Sequence, residues 1–118
     1  MRKESEPGNT NPYRVTNYSP SGLLNLVKTA RADKVLLEVG YTPLLYVKNQ
    51  RIEIDGPDIA SEVMHELVRS VANTRQFRLL RETGSIDIIQ TVDNSRFLVR
   101  VVDAFSVFRL DLIIIRST

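Results

Sequence analysis

Arg96, Arg100, Arg109 and Arg116 crowd the C-terminal stretch of the chain. A planar guanidinium can clamp a phosphate or a carboxylate through two parallel hydrogen bonds, so such a group of arginines can form an anion site or grip an acidic partner. Asp87, Asp93, Asp103 and Asp111 lie among them, and each can neutralise an arginine across a strand pair. Exposed ion pairs on a sheet are therefore one reading, and convergence on an anion or an acidic surface is the other. The spacing supports both.

Other chemistry has less material. His65 is the single histidine, falls on the polar side of a helical stretch, and is read as a surface residue. Glu62, Glu66 and Arg69 share that side at salt-bridge spacing, which favours support of the helix over a pair of catalytic carboxylates. Ser61, Ser85 and Ser106 have no histidine near them in sequence. The glycines, Gly8, Gly22, Gly40, Gly56 and Gly84, head neither a Gly-x-x-x-x-Gly-Lys-Ser/Thr run nor a Gly-x-Gly-x-x-Gly run. Cysteine is absent, which removes disulfides and thiolate metal sites. The expectation is a chain without catalytic residues, metal ligands or cofactor.

The elements that must position the arginines can be read from pattern. Residues 1–18 are polar, with Pro7, Gly8, Asn9, Asn11 and Pro12 close together, and read as a flexible tail. Residues 19–118 read as one domain. Ser19 caps a short helix with Pro20 at its first position and Leu23, Leu24, Val27 and Ala30 on one side. Val35–Val39, Leu44–Val47 and Arg51–Ile54 are strands, the first two separated by a Gly40-to-Pro43 turn. Asp55–Asp58 should open a second helix with Ile59, Val63, Met64, Leu67 and Val71 inward. Asn73 and Gln76 form a capping box for a third helix, which Gly84 stops. Ser85–Val92, Arg96–Val102 and Val107–Arg116 complete a meander. The order α-β-β-β-α-α-β-β-β predicts an α+β domain with an antiparallel sheet of about six strands and helices on one face.

The final strand sharpens this. Phe108, Leu110, Leu112 and Ile114 alternate with Val107, Arg109, Asp111, Ile113 and Ile115, so one face is apolar and the other mixed. Such a strand should be central or covered, with Leu112 and Ile114 buried under the helix carrying Val63 and Leu67. The 118 residues are 42% hydrophobic and 25% charged, with 16 Lys and Arg against 14 Asp and Glu. A net charge of +2 argues against nucleic acid or an anionic membrane as partner. No signal peptide or membrane span is legible, and a cytoplasmic protein is expected.

From Leu23 to Arg116 the chain resembles the N-terminal, PAS-like domain of the PilT-type hexameric motor ATPases of type IV pili (twitching motility) and type II secretion. Ala32-Asp33-Lys34-Val35-Leu36-Leu37-Glu38-Val39-Gly40-Tyr41-Thr42-Pro43 is similar to the family's Ala-Ser-Asp-Leu-His-Leu-x-x-Gly-x-x-Pro, with Lys34 and Leu36 where Asp and His are usual. The family's following Arg-x-x-Gly falls on Tyr46 to Asn49 and is lost. Arg96, Phe97 and Val99 keep part of an Arg-Phe-Arg-Val-Asn strand, whereas Leu98 and Arg100 depart from it. The resemblance implies a non-catalytic protein-interaction domain acting in motor assembly or regulation. Its partner would be a motor component or the chain itself, as a homo-oligomer. Arg96, Arg109 and Arg116 occupy positions from which family members reach a partner or the phosphates of nucleotide. The alternative is a PAS-like module that senses a small ligand or dimerises.

Overall fold

The computed structural model describes residues 13–92, 94–104 and 107–115. Its elements run α1 (Pro20–Thr29), β1 (Lys34–Glu38), β2 (Leu44–Val47), β3 (Gln50–Glu53), α2 (Ser61–Val71), α3 (Thr74–Thr83), β4 (Ser85–Val92), β5 (Ser95–Ala104) and β6 (Val107–Ile115). The α+β order expected from the sequence is the observed one. All six strands form one antiparallel sheet, ordered β3-β2-β1-β6-β5-β4. Two local meanders, β1–β3 and β4–β6, meet at the β1–β6 seam, where Lys34 pairs with Ile113 and Glu38 with Arg109. The final strand is central, as its apolar content required.

Local chemistry explains the helix ends. The Ser19 hydroxyl accepts from the Gly22 amide at 3.1 Å, and Pro20 needs no donor at the first position of α1. At α3, the Asn73 side chain accepts from the Gln76 amide at 2.8 Å, and the Gln76 side chain accepts from the Asn73 amide at 2.9 Å. Gly84 closes α3 with φ of 90°, a left-handed backbone that glycine adopts without Cβ strain, and its amide donates to Leu80 O at 2.8 Å.

The start of α2 differs from expectation. Asp55–Asp58 do not open it; the chain stays extended to Ala60, an N-cap with no side-chain hydrogen bond. Ile59 is buried and its backbone must find partners there. Its amide donates to Tyr41 O at 3.0 Å, and its carbonyl accepts from the Gly40 amide at 2.9 Å. Pro57 also biases Gly56 away from helix.

The expected tail is not loose throughout. Arg14 pairs with Asp55 in a parallel bridge, the Val15 amide donates to Asp55 O at 2.9 Å, and the Asp55 amide donates to Tyr13 O at 2.8 Å. Tyr13, Val15 and Tyr18 pack against the core. The Tyr18 hydroxyl donates to Pro57 O at 2.6 Å; burial, with Asp58 and Asp55 nearby, pushes its phenol above the usual range. Gly56 permits this approach, because a Cβ there would collide with Val15 O and the Tyr18 hydroxyl. Residues 1–12 of the expected tail lie outside the described residues.

The core sits between the sheet and α1–α3. α1 and α2 lie over β6, and α3 lies over β4 and β5. Leu23, Leu24 and Val27 of α1 and Met64, Leu67 and Val68 of α2 meet Val35, Leu37, Leu45, Val99, Val101, Phe108, Leu110 and Leu112 in one buried cluster. Leu112 is fully enclosed, but Ile114 is only partly buried, paired with Phe97 farther along the strand. His65 also departs from the surface role assigned to it. It is half-buried, with its ring edge-on to Phe108 at 4.8 Å, because its flank of α2 turns towards β6.

Candidate interaction surface

The face of the sheet turned away from the helices can be reconstructed row by row, because directly paired residues share a face. One row runs Asp87, Arg100, Asp111, Leu36, Leu44, Glu53 from β4 to β3. The next runs Ile89, Leu98, Ile113, Lys34, Tyr46, Arg51. On the other side lies Ser85, Val102, Arg109, Glu38, and beyond the apolar row lies Thr91, Arg96, Ile115. The surface thus carries one mainly apolar stretch, Ile89–Leu98–Ile113, flanked by the Asp87–Arg100–Asp111 row on one side and the Thr91–Arg96–Ile115 row on the other.

Charges within it are arranged unevenly. Arg100 grips Asp87 in a fork, Nε donating to Oδ1 at 2.9 Å and Nη2 to Oδ2 at 3.3 Å. That hydrogen bonding holds the Asp87 carboxyl below its usual range and raises the Arg100 guanidinium. Asp111, on the other flank of Arg100, is buried, and its Oδ1 has no hydrogen-bond partner among the described residues. Arg109 Nε stands 3.7 Å from that oxygen, close enough for attraction but too far for a hydrogen bond. Lys34 Nζ lies 4.8 Å from the centre of the Tyr46 ring, a cation–π contact within the apolar row.

The arginines singled out from sequence do not gather. Arg96 is level with Ile115, six residues beyond Arg109 on β6, which puts the two roughly 20 Å apart at ~3.3 Å per residue. They cannot clamp one phosphate group together. Arg116 and Asp93 lie outside the described residues. Asp103 is engaged by Arg81 of α3 at 3.7 Å. Ion pairing therefore describes Arg100, a looser approach to buried Asp111 describes Arg109, and Arg96 is exposed.

Sequence reasoning missed a concavity of about 450 Å³ at the β1–β3 end of this face. Leu36, Glu38, Leu44 and Glu53 form its floor, with Gly40, Tyr41, Thr42 and Asp58 around it. The Thr42 hydroxyl donates to Glu53 Oε1 at 3.4 Å. Leu36 and Leu44 share the open face with Asp111 and Glu53, and only that register reveals the hollow. Among the described residues no group of three or more His, Cys, Asp or Glu gathers to hold a metal ion, and no helix is long and apolar enough to cross a membrane.

No protein-family model and no curated protein matches the sequence. Solved structures do. The pilus retraction motor PilT with bound ADP superposes with a TM-score of 0.76 at 18% identity, over 86% of this chain and 30% of that one. The Legionella pneumophila ATPase DotB gives a TM-score of 0.72 at 16% identity, over 91% of this chain and 32% of that one. The chain has the fold of a portion of these two proteins. It spans about a third of the length of each.

Proposed function

We propose that this chain is a non-catalytic protein-interaction domain of a pilus or secretion motor, equivalent to the N-terminal part of PilT-type ATPases. The observation that carries this reading is the sheet face that no described helix covers, where the apolar row Ile89–Leu98–Ile113 lies between the rows of Arg96 and Arg100, with Arg109 one row farther on. A bare face with that mixture suits a protein partner: apolar rows supply burial, and arginines supply orientation. The separation of Arg96 from Arg109 favours an extended acidic partner surface over a single phosphate. The alternative small-ligand sensor requires a chamber between sheet and helices, a space filled here by Phe97, Phe108, Met64 and Leu112.

The test is titration of the purified chain against a PilT-type motor ATPase stripped of its own N-terminal domain, read by calorimetry and by ATP turnover. Saturable binding is expected, with Arg96→Glu and Arg109→Gln together weakening it about tenfold or more. The chain alone should not turn over ATP. Absence of binding, or ATP turnover by the chain that a point change within it abolishes, would overturn the reading.

A further inference from the structure

Between the end of α2 and the start of α3 lie only Ala72 and Asn73, and the break opens a notch on the helix side of the molecule. Its volume is about 550 Å³, and Arg69, Ala72, Asn73, Thr74, Phe77 and Arg78 line it. Capping commits Asn73 Oδ1 to the Gln76 amide, which leaves its Nδ2 group as a donor with no partner among the described residues. Arg69 is held from below: its guanidinium carbon lies 5.4 Å from the centre of the Phe77 ring, and that ring meets core Phe108 edge-on at 5.9 Å. Arg81 also stands over Phe77, but Asp103 engages it. Arg69 and Arg78 make no ion pair among the described residues, and no carboxylate lines the notch. Glu66 lies one turn before Arg69 and Glu82 one turn after Arg78, so each stands beyond its arginine rather than inside. The Val71 carbonyl, which would repel an anion at the end of α2, accepts from Gln90 Nε2 at 3.4 Å.

We propose that this notch binds a small organic phosphate, with the phosphoryl group between Arg69 and Arg78 and the carbon portion on Phe77 and Ala72. The two guanidiniums come from different helices, and Asn73 and the Thr74 hydroxyl add donors between them, so the ligand must offer acceptors in several directions. A phosphoryl group carries three terminal oxygens around a tetrahedron, whereas a carboxylate has two in one plane. The notch is far larger than a bare phosphate ion, and its volume falls within the roughly 300–1,000 Å³ usual for small-molecule sites. Contact with Phe77 places the Arg69 guanidinium before a ligand arrives, so less side-chain freedom is lost on binding. The site belongs to the helix layer, away from the open face of the sheet, and does not rest on the motor reading.

Phenyl phosphate is the probe, because its phosphoryl group and its ring match the two halves of the notch. Titrated into the isotope-labelled 118-residue chain, it should shift the amide resonances of Asn73, Thr74 and Arg78 along saturating curves. Inorganic phosphate, which lacks the ring, and benzoate, which lacks the phosphoryl group, should each bind about tenfold more weakly or worse. Arg69→Gln with Arg78→Gln should weaken phenyl phosphate by about tenfold or more. Arg75→Gln, which removes an equally exposed arginine outside the notch, should change it less than about twofold. The amide spectra report whether each variant is folded, and Arg78→Gln alone, at an exposed position, carries the test if the double variant is not. Shifts that do not saturate, or binding that survives loss of the notch arginines in a folded chain, would overturn the proposal. So would a loss as large in Arg75→Gln, or benzoate or inorganic phosphate binding as tightly as phenyl phosphate.

Discussion

The same six strands present two faces to opposite fates. The covered face is mostly aliphatic and aromatic, with polar residues such as Gln90 and Asp103 towards its margins, and helices pack on it. On the open face charge pairs such as Asp87–Arg100 adjoin the aliphatic Ile89–Leu98–Ile113 stretch, and one carboxylate, Asp111, is buried without a full set of hydrogen bonds. The difference teaches where stability and specificity reside. Burial on the covered face holds the domain together, whereas the open face is left for the partner proposed above.

The largest test of that division is Leu112→Ala, which empties a fully enclosed site between β6 and the helices. It should cost about 2–5 kcal/mol in denaturant-induced unfolding. Gly56→Ala comes next. Its Cβ meets Val15 O and the Tyr18 hydroxyl, so the arm of residues 13–18 must shift, at about 1–3 kcal/mol by the usual cost of overpacking. Its thermal midpoint should fall while the sheet keeps its circular dichroism.

On the open face the effects should shrink or change sign. Asp111→Leu removes a buried oxygen that lacks a hydrogen bond, so unfolding free energy should stay within about 1 kcal/mol or rise. A loss well beyond that would make Asp111 and Arg109 a structural ion pair and blur the contrast between faces. The smallest effect on stability at neutral pH is expected for Arg100→Gln, because the pair is exposed. Its signature is in pH dependence. The Asp87 carboxyl is held low in the folded state, so its contribution is present above the ordinary carboxylate pKa of about 4 and is lost as pH falls through the lower folded value. Urea midpoints measured from pH 6 downward should therefore fall less steeply in the variant than in the parent.

What the sequence disclosed was local. Asn73, Gln76 and Gly84 mark α3 because caps form between residues three or four apart. Leu44–Val47 was legible as a strand from composition and its flanking turns. The site was less legible because it depends on register. Whether Arg96 and Arg109 converge is decided by how β5 and β6 align, and the burial of Asp111 by neighbours from β5 and β1. His65 looked like a surface residue because its contact, Phe108, comes from a distant strand.

The β1–β6 seam has a consequence for the order of events in folding. Each meander is stitched by short connections and can form quickly, but the two become one sheet only when Lys34 meets Ile113 and Val35 meets Leu112. Closing a loop of that span is entropically costly, and little core is gained before it closes. The rate-limiting event should therefore be the docking of β6 beside β1. During synthesis, β1–β3 must wait for its central neighbour, with α1 to shield part of its apolar face, until β6 has emerged from the ribosome.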